Sequence, residues 1–335
     1  MPDLILSVDQ PSATDGDRRS AASHDVQVLM KSSLAPRTRE AYRSEWKKLT
    51  AWLGTRKLRD ESLAEYLAFL HKKGLAPASI SLALAAVRCI CRLAEVDFPV
   101  GPMTTSVMGG IRREGRGRGR GQVVPIRFRE ADLLAMMIER EASKSSPAAA
   151  ARDAALVSTM SDAMLRVSEL VAIQWRDLQI ERDGSGRLTI PVSKSDQEGQ
   201  GAVLYLGPIT VTRLQAWRKL QGNDGEFVFT SIRRGGSIQK NPLTRQSVRR
   251  LIVAHSKCYL PELFASAGSE DGDSRPGASS HSFRIGSAQS LARRGATLPQ
   301  LQTAGRWKSP SMPAAYCRNE AAGSGAMARL RYNRE

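Results

Sequence analysis

Cysteine and aromatic residues are scarce in this sequence. Its 335 residues include four Cys, five Trp, six Tyr and seven Phe. The cysteines lack the paired spacing of a zinc site and that of a disulfide framework, so we expect reduced thiols. They are Cys89, Cys91, Cys258 and Cys317.

Long apolar runs are absent as well. No stretch approaches the roughly 20 apolar residues that span a bilayer. Residues 1–25 also lack the basic and apolar blocks of a signal peptide. We therefore expect a cytoplasmic protein with no membrane partner.

Acidic residues are too few to balance the basic ones. The chain carries 50 Lys and Arg against 33 Asp and Glu, for a formal net charge of +17 and a pI near 10.3. Basic side chains gain affinity for a phosphate backbone by releasing its condensed counterions, so nucleic acid is the favoured partner. The alternative from charge alone is a basic soluble protein without such a partner.

Helical periodicity divides the first third of the chain. Residues 1–32 show no apolar period and are predicted to be a flexible tail. Residues 33–111 contain successive apolar helical faces, with stops at Gly54 and Gly74 and with Ser79 as an N-cap. A shorter helix is predicted around 106–113. We expect a helical bundle of four or five helices.

A cationic linker is predicted at 112–126. Its core, "RREGRGRGRGQ", alternates Gly and Arg, a pattern that cannot bury apolar area. We expect a flexible connector, and we expect Arg116, Arg118 and Arg120 to lie along DNA phosphates. A solvated linker without that contact is the alternative.

Residues 127–335 read as a second domain. "FREADLLAMMIEREA" and "PAAAARDAALVSTMSDAMLRVSELVAIQW" predict helices, and "DLQIE", "RLTIPV" and "AVLYLG" predict short strands. The polar turn "SKSDQEGQG" joins the last two strands, and helices are expected to return after "EFVFT". The fold class predicted is mainly α with a small antiparallel sheet.

Several short motifs carry chemistry. In "HSFR", His281 and Arg284 lie three apart, so both side chains can face one anion. In "LRVSEL", Arg166 and Glu169 have the same spacing, which is also that of an ordinary helix ion pair. Each motif alone is weak evidence for a catalytic site. The other candidates are equally weak alone, because a lysine in a polar turn, such as Lys194, is commonly just solvated and a tryptophan is commonly a packing residue.

The ordered set is far more specific than its parts. It consists of Arg166, Lys194, His281, Arg284, Trp307 and Tyr316. With this set the sequence resembles the tyrosine recombinases of the phage integrase family, from about residue 33 to the end. The resemblance implies a helical core-binding (SAM-like) domain and a catalytic domain that form a C-shaped clamp around duplex DNA.

The resemblance also implies a mechanism without a metal ion, ATP or other cofactor. Tyr316 is the nucleophile, which leaves a 3′-phosphotyrosine and a free 5′-hydroxyl, and covalent capture conserves the bond energy for rejoining. Arg166 and Arg284 clamp the phosphate oxygens, for which the guanidinium fork is well matched. Lys194 is the general acid for the departing 5′ oxygen.

The remaining roles are supporting ones. The resemblance gives His281 a phosphate hydrogen bond and makes it an acceptor for the tyrosine proton. It gives Trp307 an indole N–H contact to phosphate together with packing. Glu169 is expected to orient Arg166, although a structural ion pair explains that spacing almost as well.

Recognition of DNA is expected from "LTRQSVRRLIVAHSKCY". The resemblance places at Arg245 an arginine that reads a guanine edge, and Arg249 and Arg250 lie on the same predicted helix. A phosphate contact from that helix is the alternative. The expected target is an inverted repeat around a spacer, of unknown sequence.

Assembly is the last implication of the resemblance. A C-terminal helix at about 322–335 is expected to dock into a neighbouring protomer, so that a monomer or dimer in solution becomes a homotetramer on two DNA sites and exchanges strands through a Holliday junction. The alternative for this segment is a helix folded back on its own domain. The expected location is the nucleoid of a prokaryotic cytoplasm. The other candidate functions are relaxation of DNA like that of a type IB topoisomerase, and DNA binding without catalysis.

Overall fold

A computed structural model describes residues 34–94, 96–119, 121–141, 146–191, 201–222, 225–265 and 277–323. The chain divides into a first unit, Met1–Gly121, and a second unit, Gln122–Glu335. The predicted tail at 1–32, the turn that contains Lys194, Arg120 and most of the predicted C-terminal helix lie outside the described residues.

Four helices form the described part of the first unit. They are α1 (Pro36–Leu53), α2 (Asp60–Lys72), α3 (Pro77–Leu93) and α4 (Pro102–Glu114). Three of them begin with proline, which suits the first turn because the N–H that it lacks would have no helical partner there. Buried leucines and Tyr66 from α1 and α2 pack against Ile80 and Val87 of α3. The predicted bundle is confirmed in this part of the chain.

Two helix starts differ from the sequence prediction. Ser79 is not an N-cap, because α3 already begins at Pro77 with Ala76 as its N-cap. Helix α4 begins four residues before the predicted start. The Asp60 carboxylate accepts hydrogen bonds there from the main-chain N–H groups of Gly101 (2.8 Å) and Thr104 (3.0 Å), which satisfies donors that a helix start leaves open.

The linker predicted at 112–126 is shorter than expected. Arg112 and Arg113 belong to α4, which runs to Glu114. Arg118 donates from Nη1 to the carbonyl oxygen of His71 at 3.0 Å. At the other end Ile126 is fully buried in the second unit, where its N–H donates to the carbonyl oxygen of Ser282.

The described helices of the second unit surround one that is buried along nearly its whole length. This central helix is α6 (Pro147–Ala163), and it packs against α5 (Phe128–Arg140) and α8 (Pro208–Gln221). Small residues such as Ala154 and Ala155 let its neighbours approach on both sides. The others are α7 (Val167–Leu170), α9 (Arg245–Tyr259), α10 (Glu262–Ala265), α11 (Ser280–Arg293), α12 (Leu298–Gly305), α13 (Ser311–Tyr316) and α14 (Arg318–Gly323).

Two small antiparallel sheets complete the second unit. Strands β1 (Leu178–Ile180), β2 (Gly186–Ile190) and β3 (Ala202–Leu206) form the predicted sheet, with Leu188 opposite Leu178 and Leu204. The register puts these leucines on the core side and leaves alternate residues exposed. The predicted hairpin is confirmed, and its turn at 192–200 lies outside the described residues.

A second hairpin was not predicted. Strands β4 (Thr230–Ile232) and β5 (Ile238–Pro242) pair where the sequence analysis expects helices to return at once. The return to helix comes only at α9. No described helix is long and apolar enough to cross a bilayer.

Candidate active site

The first turn of α11 positions two of the predicted site residues. Ser279 is its N-cap and accepts a hydrogen bond from the His281 N–H at 3.2 Å, while the Ser282 hydroxyl accepts one from the Ser279 N–H at 2.9 Å. This reciprocal cap fixes the start of the helix. The spacing of three then brings His281 and Arg284 to one side of it, the histidine exposed and the arginine buried.

Arg284 joins two chain segments at the base of the site. Its Nη1 donates to the carbonyl oxygen of Met164 at 2.7 Å, and its Nη2 donates to that of Gly305. The Trp307 ring covers the guanidinium, 4.4 Å from the guanidinium carbon to the ring centroid. Desolvation and the nearby charges of Arg166 and Arg306 lower the pKa of Arg284 to about 9, which leaves the group charged at neutral pH.

Gly305 makes room for that stacking. A Cβ added to this residue would overlap the six-membered ring of Trp307. The absence of a side chain at Gly305 therefore leaves the space that the indole occupies over the arginine.

Glu169 is a buried carboxylate between two arginines. Its Oε1 accepts from Arg166 Nη1 at 2.7 Å, and its Oε2 accepts from the Arg166 main-chain N–H at 2.9 Å and from Arg306 Nη2 at 3.0 Å. Desolvation acts to raise the pKa of Glu169, but the charge of Arg306 and the contacts with Arg166 outweigh it and lower that pKa. The site thus holds three arginines against one ionised carboxylate, an excess of positive charge suited to a phosphate.

Tyr316 lies at the open side of this cluster, at the end of α13. Its phenol oxygen is 2.8 Å from His281 Nε2, and the Trp307 ring approaches its ring edge-on with centroids 5.9 Å apart. Desolvation raises the pKa of Tyr316, although Arg284 and Arg166 oppose the rise. Desolvation followed by the charges of Arg284 and Arg166 lowers the pKa of His281. At neutral pH the phenol therefore carries its proton and the imidazole is neutral. In the tautomer with its proton on Nδ1, His281 Nε2 can accept a hydrogen bond from the phenol.

The main chain around Tyr316 is held by two further contacts. Gln289 on α11 donates from Nε2 to the Tyr316 carbonyl oxygen at 3.1 Å. Four residues later the buried Glu320 carboxylate lies 3.4 Å from Arg127 and 3.7 Å from Arg293. The segment that carries the phenol is thus fixed at Tyr316 and again at Glu320.

The structure brings together most of the predicted catalytic set. It gathers Arg166, Glu169, His281, Arg284, Trp307 and Tyr316. Lys194 lies outside the described residues. Trp307 packs between Arg284 and Tyr316, in line with the packing part of its predicted role.

The predicted DNA-contacting arginines lie elsewhere. Arg245 and Arg249 are exposed on α9, one turn apart, while Val248 and Ile252 of the same helix face the core. Arg116 is exposed after the end of α4, as is Arg118.

Arg306 is a site residue that the sequence analysis missed. It follows α12 with φ of +53°, and its side chain reaches Glu169. The available signal was its place in "AGRW", between a helix-ending glycine and the site tryptophan.

Within the described ranges no cluster of three or more His, Cys, Asp or Glu could hold a metal ion.

Comparisons with known proteins find recombinases similar to this chain. Recombinase Cre of Escherichia phage P1 is 26% identical over 279 residues, which cover 81% of this chain and 79% of Cre. Tyrosine recombinase XerC of Xanthomonas campestris pv. campestris is 25% identical over 241 residues, 69% of each chain.

The fold has a solved counterpart as well. A crystal structure of the XerH site-specific recombinase bound to a palindromic difH substrate superposes with a TM-score of 0.64 at 14% identity, covering 88% of this chain and 79% of XerH. The model of the phage integrase family matches residues 127–322. The chain belongs to the phage integrase family and is a tyrosine recombinase, an enzyme of site-specific DNA recombination.

Proposed function

We propose that the protein cleaves and rejoins DNA at specific sites through a covalent bond to Tyr316. The observation that carries this proposal is the 2.8 Å contact between the Tyr316 phenol and His281 Nε2, next to three arginines opposed by a single carboxylate. A phenol, a base and an excess of guanidinium groups are the parts needed to attack a phosphodiester without a metal ion.

The proposed first step moves two protons, one from Tyr316 to His281 and one from Lys194 to the departing 5′ oxygen, and exchanges one bond. The Tyr316 oxygen attacks the scissile phosphorus while its proton passes to His281 Nε2. The bond from phosphorus to the 5′ oxygen breaks, which leaves a 3′-phosphotyrosine and a 5′-hydroxyl. A base is required because a phenol with a raised pKa is almost wholly protonated near neutral pH, and the lowered pKa of His281 keeps its imidazole free to accept.

The arginines stabilise the negative charge that develops on the nonbridging oxygens of the scissile phosphate. Arg166 is the more accessible, with 26% of its side chain exposed, whereas Arg284 is buried against the Trp307 ring. Preorganised donors of this kind contribute roughly 3–4 kcal/mol each to transition-state stabilisation. Lys194 is proposed as the acid that protonates the departing 5′ oxygen, from the turn between β2 and β3.

Rejoining is the reverse of this step with a different 5′-hydroxyl. In the proposed exchange that hydroxyl comes from a second DNA site, so a Holliday junction forms within a homotetramer. We propose that Arg245 and Arg249 of each protomer contact one arm of an inverted-repeat target, and that Arg116, Arg118 and Arg120 contact phosphates. A protein with these partners would act at the nucleoid.

The test is covalent capture. A library of duplexes with inverted-repeat arms, nicked in the spacer so that the cleaved end diffuses away, is incubated with wild type, Tyr316→Phe and Tyr205→Phe. Tyr205 is a matched control because it lies on β3 with 64% of its surface exposed. Denaturing gels separate DNA bound to protein from free DNA.

We expect wild type and Tyr205→Phe to form the adduct and Tyr316→Phe to form none. An adduct that persists in Tyr316→Phe would refute the assignment of Tyr316 as the nucleophile. A wild-type protein that binds library members tightly and never forms an adduct would refute the cleavage reaction itself. Recombinant products from two captured sites would then separate strand exchange from simple relaxation.

A further inference from the structure

Arg306 adopts a backbone conformation that arginine rarely takes. Its φ is +53°, and Met164 at +48° is the other non-glycine residue with a positive φ in the described ranges. Such conformations cost about 1–3 kcal/mol each and persist where surrounding contacts hold them. The two residues are neighbours in space, because Arg306 Nη2 lies 3.2 Å from the Met164 carbonyl oxygen.

The Arg306 side chain makes its hydrogen bonds through one nitrogen, Nη2. Its Nη2 donates to Glu169 Oε2 at 3.0 Å and approaches the carbonyl oxygens of Met164 and Ala163 at 3.2 and 3.4 Å. Only 11% of the side chain is exposed, and Nε and Nη1 are buried without a hydrogen-bond partner among the described residues. A group that merely tied two loops together would be expected to satisfy more of its donors.

The chain of contacts leads from Arg306 to the proposed phosphate clamp. Glu169 has 4% of its side chain exposed, so its charge requires partners. Arg166 supplies two hydrogen bonds and Arg306 the third. With Arg166 alone the carboxylate could rotate about its last bond, and the Arg166 guanidinium would turn with it.

We propose that Arg306 is a positioning residue for DNA cleavage: it fixes the Glu169 carboxylate, which in turn holds the Arg166 guanidinium against the scissile phosphate. This inference rests on the proposed function. The left-handed backbone of Arg306 is what aims its side chain back across the end of α12 toward α7. The competing interpretation is structural, in which Arg306 only joins the ends of α6 and α12.

The variant Arg306→Gly separates the two. Glycine adopts φ of +53° without strain, so the backbone path is kept while the side chain is lost. We expect unchanged affinity for a captured DNA site, a melting temperature within a few degrees of wild type, and a single-turnover cleavage rate lower by about 10- to 100-fold. Arg306→Lys keeps the charge with one donor group, and we expect it to restore part of the rate.

A double-mutant comparison tests whether the effect passes through Glu169. If Arg306 acts through that carboxylate, adding Arg306→Gly to Glu169→Gln costs no further cleavage rate. Independent, additive losses would overturn the proposal, and so would a wild-type rate in Arg306→Gly. If Arg306→Gly fails to fold, Arg306→Lys paired with Glu169→Gln makes the same comparison.

A second measurement does not depend on cleavage. NMR of the free protein follows two signals. They are the guanidinium N–H protons of Arg166 and the carboxyl carbon of Glu169. In Arg306→Gly we expect the Arg166 signal to broaden or average, and Glu169 to titrate at a higher pH, since Arg166 on its own helix and Arg284 are the remaining cations facing it. Unchanged signals would refute the positioning role. A wild type that forms no DNA adduct, together with shifted signals, would refute the proposed function and leave the positioning contact intact.

Discussion

The substitution Gly305→Ala adds a single methyl group and removes no functional atom. That methyl would occupy the space of the Trp307 ring, so the indole must leave its position. Trp307 covers Arg284 at 4.4 Å and meets Tyr316 edge-on at 5.9 Å. One methyl group should therefore loosen both the buried arginine and the proposed nucleophile, Tyr316.

The size of the effect follows from the contacts that are lost. A desolvated arginine on an indole face contributes about 2 kcal/mol, and an aromatic edge-to-face pair about 0.5–1.5 kcal/mol. Partial repacking recovers some of this, so we expect a loss of about 2–3 kcal/mol in the free energy of unfolding. For a unit of this size the melting temperature falls by about 5–10 °C. Misplacement of Tyr316 by about 1 Å lowers the cleavage rate by up to about 100-fold.

The assay is calorimetry of both variants, followed by single-turnover cleavage below the melting transition. Gly235→Ala is the matched control, because Gly235 lies in the β4–β5 turn with open space around its Cβ position and without a positive φ. We expect that control to match wild type in both measurements. If Gly305→Ala melts and cleaves like the control, the stacked tryptophan does not organise the site, and the reasoning is refuted.

Two further predictions concern pH. Because desolvation and the charges of Arg284 and Arg166 lower the pKa of His281 below 6.5, the cleavage rate should stay level through about pH 6.5 and fall only below it. The stability of the folded protein should also fall as the pH drops through this range, since the unfolded chain binds the His281 proton at a higher pH than the folded chain does. His281→Gln should remove that acid limb from the rate profile, and a limb that remains would assign it to another group. Hydrogen bonds from Thr104 and from the main-chain N–H groups of Gly101 and Met103 lower the pKa of Asp60 to about 2, so the first unit should lose stability as pH falls from 3.8 toward 2. Asp60→Asn should lower its melting temperature at neutral pH and flatten that acid dependence, whereas an unchanged acid profile would show that the cap contributes nothing.

Periodicity captured those elements whose burial is regular. The strands of the β1–β2–β3 sheet alternate apolar and polar residues, and the pattern predicts both the sheet and its buried face. The spacing of His281 and Arg284 predicted a shared helix side because a local cap starts α11 just before them. Tyr316 was chosen among six tyrosines by its spacing to "HSFR" and to Trp307, and the structure places its ring beside both His281 and Trp307.

Contacts between distant segments were beyond the reach of the pattern. In the β4–β5 hairpin, "SIQKNP" has no apolar alternation, and its pairing depends on the rest of the unit. The contact of Arg306 with Glu169 spans 137 residues, so no local spacing indicates it. Ser79 had the right chemistry for a cap, but Pro77 started the helix two residues earlier.

The two fixed points around Tyr316 have a mechanical consequence. The main chain at the phenol is tied to α11 by Gln289, and Glu320 ties the following turn to Arg127 and Arg293. A DNA end bonded to Tyr316 would therefore pull on the packed interior of the second unit and not on a flexible surface segment. Torque on that bonded end would reach α11 within a few bonds, so the bonded end could move only as far as the tyrosine side chain turns, while the free 5′ end is not held by this residue.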